Sequence, residues 1–187
     1  RMLAYSGIAH AGYLLMGLVV LNNDGLRAVL FYVVVYLIMN LGAFLVVMIV
    51  ANATGREDLD GYHGLAWRGA AIPAVCMAIF LFSLTGLPPM AGFVGKFFLF
   101  AAVIRQGGMF VLLAVVAILN SVISLYYYAR VVKTMFFDFP QPGAQQVEMT
   151  PSHAALLGFL SCLTIFLGVY WGPLAFYAER SLRFFIR

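Results

Sequence analysis

Ser83-Leu84-Thr85-Gly86-Leu87-Pro88-Pro89 interrupts a long apolar run, and a lysine, Lys96, stands beyond the break inside the same run. That run extends from Ala70 to Ile104. As one straight helix it would be about 52 Å long, against a bilayer core about 30 Å thick. Pro88 and Pro89 carry no backbone N–H, so the carbonyls of Leu84 and Thr85, one turn earlier, lose their helical donors; Gly86 adds conformational freedom. The stretch reads as a helix broken at 86–89. In lipid, such a break is tolerated only where protein buries it or a wet cavity takes it up. It is either a packing kink or an ion site of the kind transporters build on discontinuous helices.

Lys96 weighs toward the second reading. Counted back from Arg105 it lies about 13.5 Å deep, near the middle of the bilayer core. Placing a charge there costs about 2.5–3.5 kcal/mol on insertion scales, which makes an intramembrane lysine a functional candidate. Desolvation favours the neutral amine and a nearby carboxylate favours the ammonium, so a movable counter-charge could load and unload a proton. The competing role is a fixed ion pair with a neighbouring subunit.

Working outward, the rest of the chain is equally apolar. Apolar residues make up 64% of it and charged residues 10%, where a soluble domain has about 45–50% and about 25%. The fold class is all-α integral membrane, with about five transmembrane helices at roughly 3–21, 28–51, 70–104 (broken at 86–89), 109–133 and 154–176. They form a single transmembrane domain over 1–187, with no soluble domain. A loop from Phe137 to Ser152, holding Pro140, Pro142 and Gly143, precedes the last span. Basic residues divide evenly, Arg1, Arg56, Arg68, Arg130 and Lys133 against Arg27, Arg105, Arg180, Arg183 and Arg187, so charge bias leaves the orientation open. They sit singly at segment ends, which fits membrane lipid as partner and not nucleic acid. Cys76 and Cys162 read as two buried free thiols, and His10, His63 and His153 show no metal-ligand spacing.

Other polar residues carry weaker signals. Ser6, His10 and Tyr13 share one helix face, where His10 is either a proton relay or a neutral, hydrogen-bonded histidine. Tyr36 and Asn40 form a second pair one turn apart, read as interhelical hydrogen bonding. Asn120, Ser121 and Ser124 lead into Tyr126-Tyr127-Tyr128 and Arg130, read as an interfacial aromatic belt with a basic anchor.

Together these residues carry a resemblance. Gly86-Leu87-Pro88-Pro89-Met90-Ala91-Gly92-Phe93-Val94-Gly95-Lys96-Phe97 resembles the signature of the antiporter-like subunits of respiratory complex I, in the form typical of subunit N. The opening Arg1-Met2-Leu3-Ala4-Tyr5-Ser6-Gly7-Ile8-Ala9-His10-Ala11-Gly12-Tyr13 resembles a late helix of that family, which usually has Ser where Gly7 stands. Asp58-Leu59-Asp60-Gly61-Tyr62-His63-Gly64-Leu65-Ala66 is similar to its loop before the broken helix.

The resemblance implies a fourteen-helix subunit built on two inverted five-helix repeats, of which this chain supplies the second-repeat end, a C-terminal fragment of a longer subunit. It implies proton translocation across a bacterial inner membrane by a translocase subunit that carries no redox site itself. NAD, FMN, iron–sulfur clusters and quinone would be held by partner subunits, and the other complex I membrane-arm subunits would be its neighbours. It places proton transfer on Lys96 and His10, and sets Tyr36 near a further position of the polar axis. The alternative is a subunit of a multi-subunit cation/proton antiporter, which carries a similar Gly-Leu-Pro-Pro…Lys segment.

Overall fold

A computed structural model of the chain describes residues 1–140 and 145–185, with side chains described as far as Leu182. Pro142 and Gly143 of the expected loop, and Arg187, lie outside the described residues. Seven α-helices occupy the described residues: α1 Met2–Val19, α2 Asn23–Thr54, α3 Ala71–Thr85, α4 Ala91–Gln106, α5 Met109–Phe136, α6 Pro151–Val169 and α7 Gly172–Phe185. Four of them, α1, α2, α5 and α6, are long and apolar enough to cross a membrane. α3 and α4, of 15 and 16 residues, succeed one another about the break and make the fifth crossing.

The helix ends follow from local chemistry. Asn22 caps α2 by accepting from the Gly25 N–H at 2.7 Å, and Gly55, at φ 67, closes its far end. α2 thus runs longer than the 28–51 expected, because Asn23, Asp24 and Gly25 join its first turn. α6 starts at Pro151 behind the Thr150 cap.

The last expected span, 154–176, divides in two. α6 ends at Val169, Tyr170 leaves the helical region, and α7 begins at Gly172. Pro173 has no N–H to offer the Val169 carbonyl, so the first helix cannot be continued through it. α7 is amphipathic: Ala175, Ala178 and Leu182 are buried, while Phe176 and Tyr177 are exposed. Arg27 pairs with Glu179 at 3.2 Å, tying α7 to the start of α2.

α2 is the central helix, packed by α1, α3, α4, α6 and α7. Its Phe31, Tyr32, Met39, Val46 and Val50 have no exposed surface. α6 is peripheral, and Cys162 on it is exposed rather than buried; Cys76 is buried as expected.

The stretch before α3 is ordered by its own hydrogen bonds. The Arg68 guanidinium donates to the Gly61 carbonyl at 2.9 Å and to the Gln145 carbonyl at 2.9 and 2.6 Å. Trp67 Nε1 donates to the Phe136 carbonyl at 3.0 Å, fastening the loop to the end of α5. His63 lies between Asp138, at 3.4 Å, and Asp60, at 3.8 Å. Burial pushes the Tyr62 phenol up to about 12, so it stays neutral in the folded loop.

Candidate functional site

The break ends α3 in a left-handed glycine. Gly86 has φ 91, and its N–H donates to the carbonyls of Phe82 and Ser83, both at 3.0 Å. Pro88 and Pro89, joined by a cis peptide bond, then carry the chain to Met90 and the start of α4. Gly92 lets the first turn of α4 close on the last turn of α3, since a Cβ there would lie 1.8 Å from the Ser83 carbonyl oxygen. The Gly92 N–H donates to Ser83 Oγ at 3.0 Å. Gly168 of α6 sits against the break from outside, where a Cβ would lie 2.0 Å from the Pro89 carbonyl oxygen.

This fold returns Lys96 to the break. The side chain is only 4% exposed. Its Nζ donates to the Leu84 carbonyl at 2.8 Å, the Thr85 carbonyl at 3.0 Å and Ser121 Oγ at 2.8 Å. The two carbonyls are the ones from which the prolines withdraw a helical donor, so the lysine satisfies what the break leaves open. An ammonium has three N–H groups, and here all three are met by neutral acceptors. Ser121 Oγ also donates to the Thr85 carbonyl at 3.0 Å. The face of the Tyr13 ring lies 4.8 Å from Nζ, a cation–π contact. Gly86 leaves room for the stem: a Cβ there would lie 3.0 Å from Lys96 Cδ. None of the ion pairs formed by described residues includes Lys96.

From this cage a line of polar groups runs between α1, α2 and α5. Asn120 Nδ2 donates to the Tyr13 hydroxyl at 3.4 Å. The Tyr13 ring meets the His10 ring edge-on, with centroids 5.6 Å apart. His10 Nδ1 is hydrogen-bonded to the Tyr32 hydroxyl at 2.6 Å. Tyr36 stacks on His10 at 4.9 Å. Nearer the loop side, Ser6 and Tyr128 share a hydrogen bond between their hydroxyls. Ser6, His10 and Tyr13 are all buried on the one face that their spacing predicts.

The structure therefore brings Lys96, Gly86, His10 and Tyr36 into one region, with Pro88 and Pro89 acting through the backbone bonds they cannot make. Four further residues join them. Tyr32, one turn before Tyr36, is the hydroxyl bonded to His10. Asn120 and Ser121, read as leading into an aromatic belt, form part of the cage surroundings. Tyr128 has no exposed surface, so it is not part of an interfacial belt, whereas Tyr126 remains exposed. The signal for Ser121 and Tyr128 was their shared helix face, since residues 121, 124 and 128 follow one another at helical spacing. Among the described residues, no group of three His, Cys, Asp or Glu side chains is placed to hold a metal.

Fold and site together define a polytopic helical membrane protein built around a discontinuous helix that carries a buried lysine. Residues 1–124 match the family model described as NADH:quinone oxidoreductase/Mrp antiporter, TM, and the chain belongs to that family. NADH-quinone oxidoreductase subunit N of Anaeromyxobacter sp. (strain Fw109-5) is 47% identical over 191 residues, covering 99% of this chain and 37% of that protein. Subunit N 2 of Sorangium cellulosum (strain So ce56) is 50% identical, covering 97% and 36% respectively. The chain thus spans little more than a third of the length of the curated relatives it matches. Among solved structures, a chain of respiratory complex I from Thermus thermophilus aligns with TM-score 0.77 at 31% identity, over 92% of this chain and 38% of that one. A chain of the Mrp complex from Dietzia sp. DQ12-45-1b aligns with TM-score 0.85 at 22% identity, over 95% of this chain and 41% of that one; that likeness concerns the fold alone.

Proposed function

We propose that this chain is the C-terminal part of a subunit N of a bacterial NADH:quinone oxidoreductase, multi-pass in the inner membrane, and that it carries protons across that membrane. Its partners are the other membrane-arm subunits, and NADH oxidation and quinone reduction take place on partner subunits holding NAD, FMN, iron–sulfur clusters and quinone. Relatives named subunit N, at 47% and 50% identity over almost all of the chain, support this reading above that of a cation/proton antiporter subunit.

The observation that carries the proposal is the neutral cage around Lys96. A cation fixed for structural reasons is best matched by a fixed carboxylate, whereas here carbonyls and a hydroxyl meet it. Such a cage serves both protonation states. The ammonium donates three hydrogen bonds. After losing its proton the amine keeps two N–H donors for the Leu84 and Thr85 carbonyls, and Ser121 can turn its O–H from Thr85 toward the free lone pair. His10 with Tyr32 stands next in line as relay, and Tyr36 lines the same axis.

Lys96→Met in the full-length subunit of the complete complex tests the proposal. The variant should assemble, shown by native gel, and lose most coupled NADH:quinone activity and proton pumping in reconstituted vesicles. Assembled Lys96→Met complex that pumps at the wild-type ratio would overturn it.

A further inference from the structure

The loop before α3 and the chain just after α5 meet at a histidine. His63 Nδ1 lies 3.4 Å from Asp138 Oδ2, and His63 Nε2 lies 3.8 Å from Asp60 Oδ1. A neutral imidazole has one N–H donor and one bare lone pair, so it can donate to only one of two carboxylates. The imidazolium has two N–H groups and answers both. The contact is closely seated. Gly64, at φ 59, donates its N–H to the Thr134 carbonyl at 3.0 Å, and a Cβ on it would lie 2.6 Å from the Pro140 ring. The other charges on these elements are engaged elsewhere or face outward. Asp58 accepts from the Gly61 N–H, Arg68 donates to the carbonyls of Gly61 and Gln145, and Arg56, Glu57 and Lys133 are exposed.

The loop packs on both α3 and α5. These two helices supply the three acceptors that meet Lys96 Nζ, Leu84 and Thr85 from α3 and Ser121 from α5. Leu84 stands about 20 Å along α3 from Ala71, and Ser121 about 22 Å along α5 from Phe136, so the two helices run as a matched pair from the loop to the cage. We infer that His63 is a pH-sensitive clasp: protonated, it bridges Asp60 and Asp138 and holds the outer ends of α3 and α5 together; neutral, it releases one of the two carboxylates. Histidine is the side chain that changes charge between about pH 5 and about pH 8. The clasp is therefore closed at the acid end of that range and opens as pH rises. Tightening the α3–α5 pair where protons are plentiful is a role separate from carrying them, and it can be read without turnover.

The test is hydrogen–deuterium exchange of the full-length subunit in its assembled complex at about pH 5.5 and about pH 8, corrected for the intrinsic exchange rate at each pH. Peptides covering 58–70 and 133–139 should exchange about three- to fivefold more slowly at the acid pH, the range set by an exposed ion pair. His63→Gln, which cannot take a charge, and Asp138→Asn should each remove that step while assembly persists. Lys96→Met should keep it, so the clasp and the pumping proposal fail separately. A wild-type complex without the step, or a step that survives His63→Gln, would overturn the inference.

Discussion

The chain interrupts its helices at glycine and proline in two places, and the two interruptions differ in what takes up the exposed carbonyls. At Gly86–Pro89 the break is packed inside the bundle, and a buried lysine returns to the open carbonyls of Leu84 and Thr85. At Gly172–Pro173 the break lies at the periphery, where Tyr170 and Trp171 are exposed. There the chain simply changes direction and α7 continues as an amphipathic helix tied by Arg27 and Glu179. Proline in a membrane helix is therefore not itself a site. A buried, unneutralised charge aimed at the carbonyls that proline frees is what separates the first break from the second.

Substitutions can break this comparison. The largest stability effect belongs at the first break. Gly92→Ala forces a methyl group against the Ser83 carbonyl and should destabilise the subunit by about 1–3 kcal/mol, measured as thermal loss of assembled complex. If Gly92→Ala were neutral, the tight seam between α3 and α4 would not be needed to hold the break.

Ser121→Ala comes next. It removes a hydrogen bond to a charged group, worth about 1.5–3 kcal/mol, and should lower coupled turnover about tenfold or more while assembly persists. Ser121→Thr keeps the hydroxyl and should restore most of that loss. Equal activity in the two variants would mean that Ser121 is packing only. Pro173→Ala, at an exposed position of the second break, should change stability by no more than about 0.5 kcal/mol and leave pumping unaltered. A pumping defect there would erase the distinction between the breaks.

Much of the fold was legible because membrane crossing constrains composition and length so strongly. The break was legible to the atom: proline at 88 and 89 names Leu84 and Thr85 as the carbonyls without donors, and these are the ones Lys96 meets. The end of the last span was less so, since apolar Tyr170 and Trp171 continue the run through the turn. Ser121 reads in the sequence as leading into an interfacial aromatic belt, and only tertiary structure sets it 2.8 Å from Nζ. Tyr32 and Tyr36 lie one turn apart on one face, so sequence could not choose which hydroxyl reaches His10. Tyr128 was grouped with its neighbours Tyr126 and Tyr127, although rotation about the helix turns it inward to Ser6.

The central claim is that Lys96 exchanges its proton during turnover and is not a fixed structural charge. Lys96→Arg tests it most directly, because arginine retains the positive charge but stays protonated at any accessible pH. The measurement is the number of protons translocated per NADH oxidised by the complete complex in sealed vesicles, with assembly established by native gel. The account predicts an assembled Lys96→Arg complex in which pumping is abolished or strongly reduced; pumping at the wild-type ratio would contradict it.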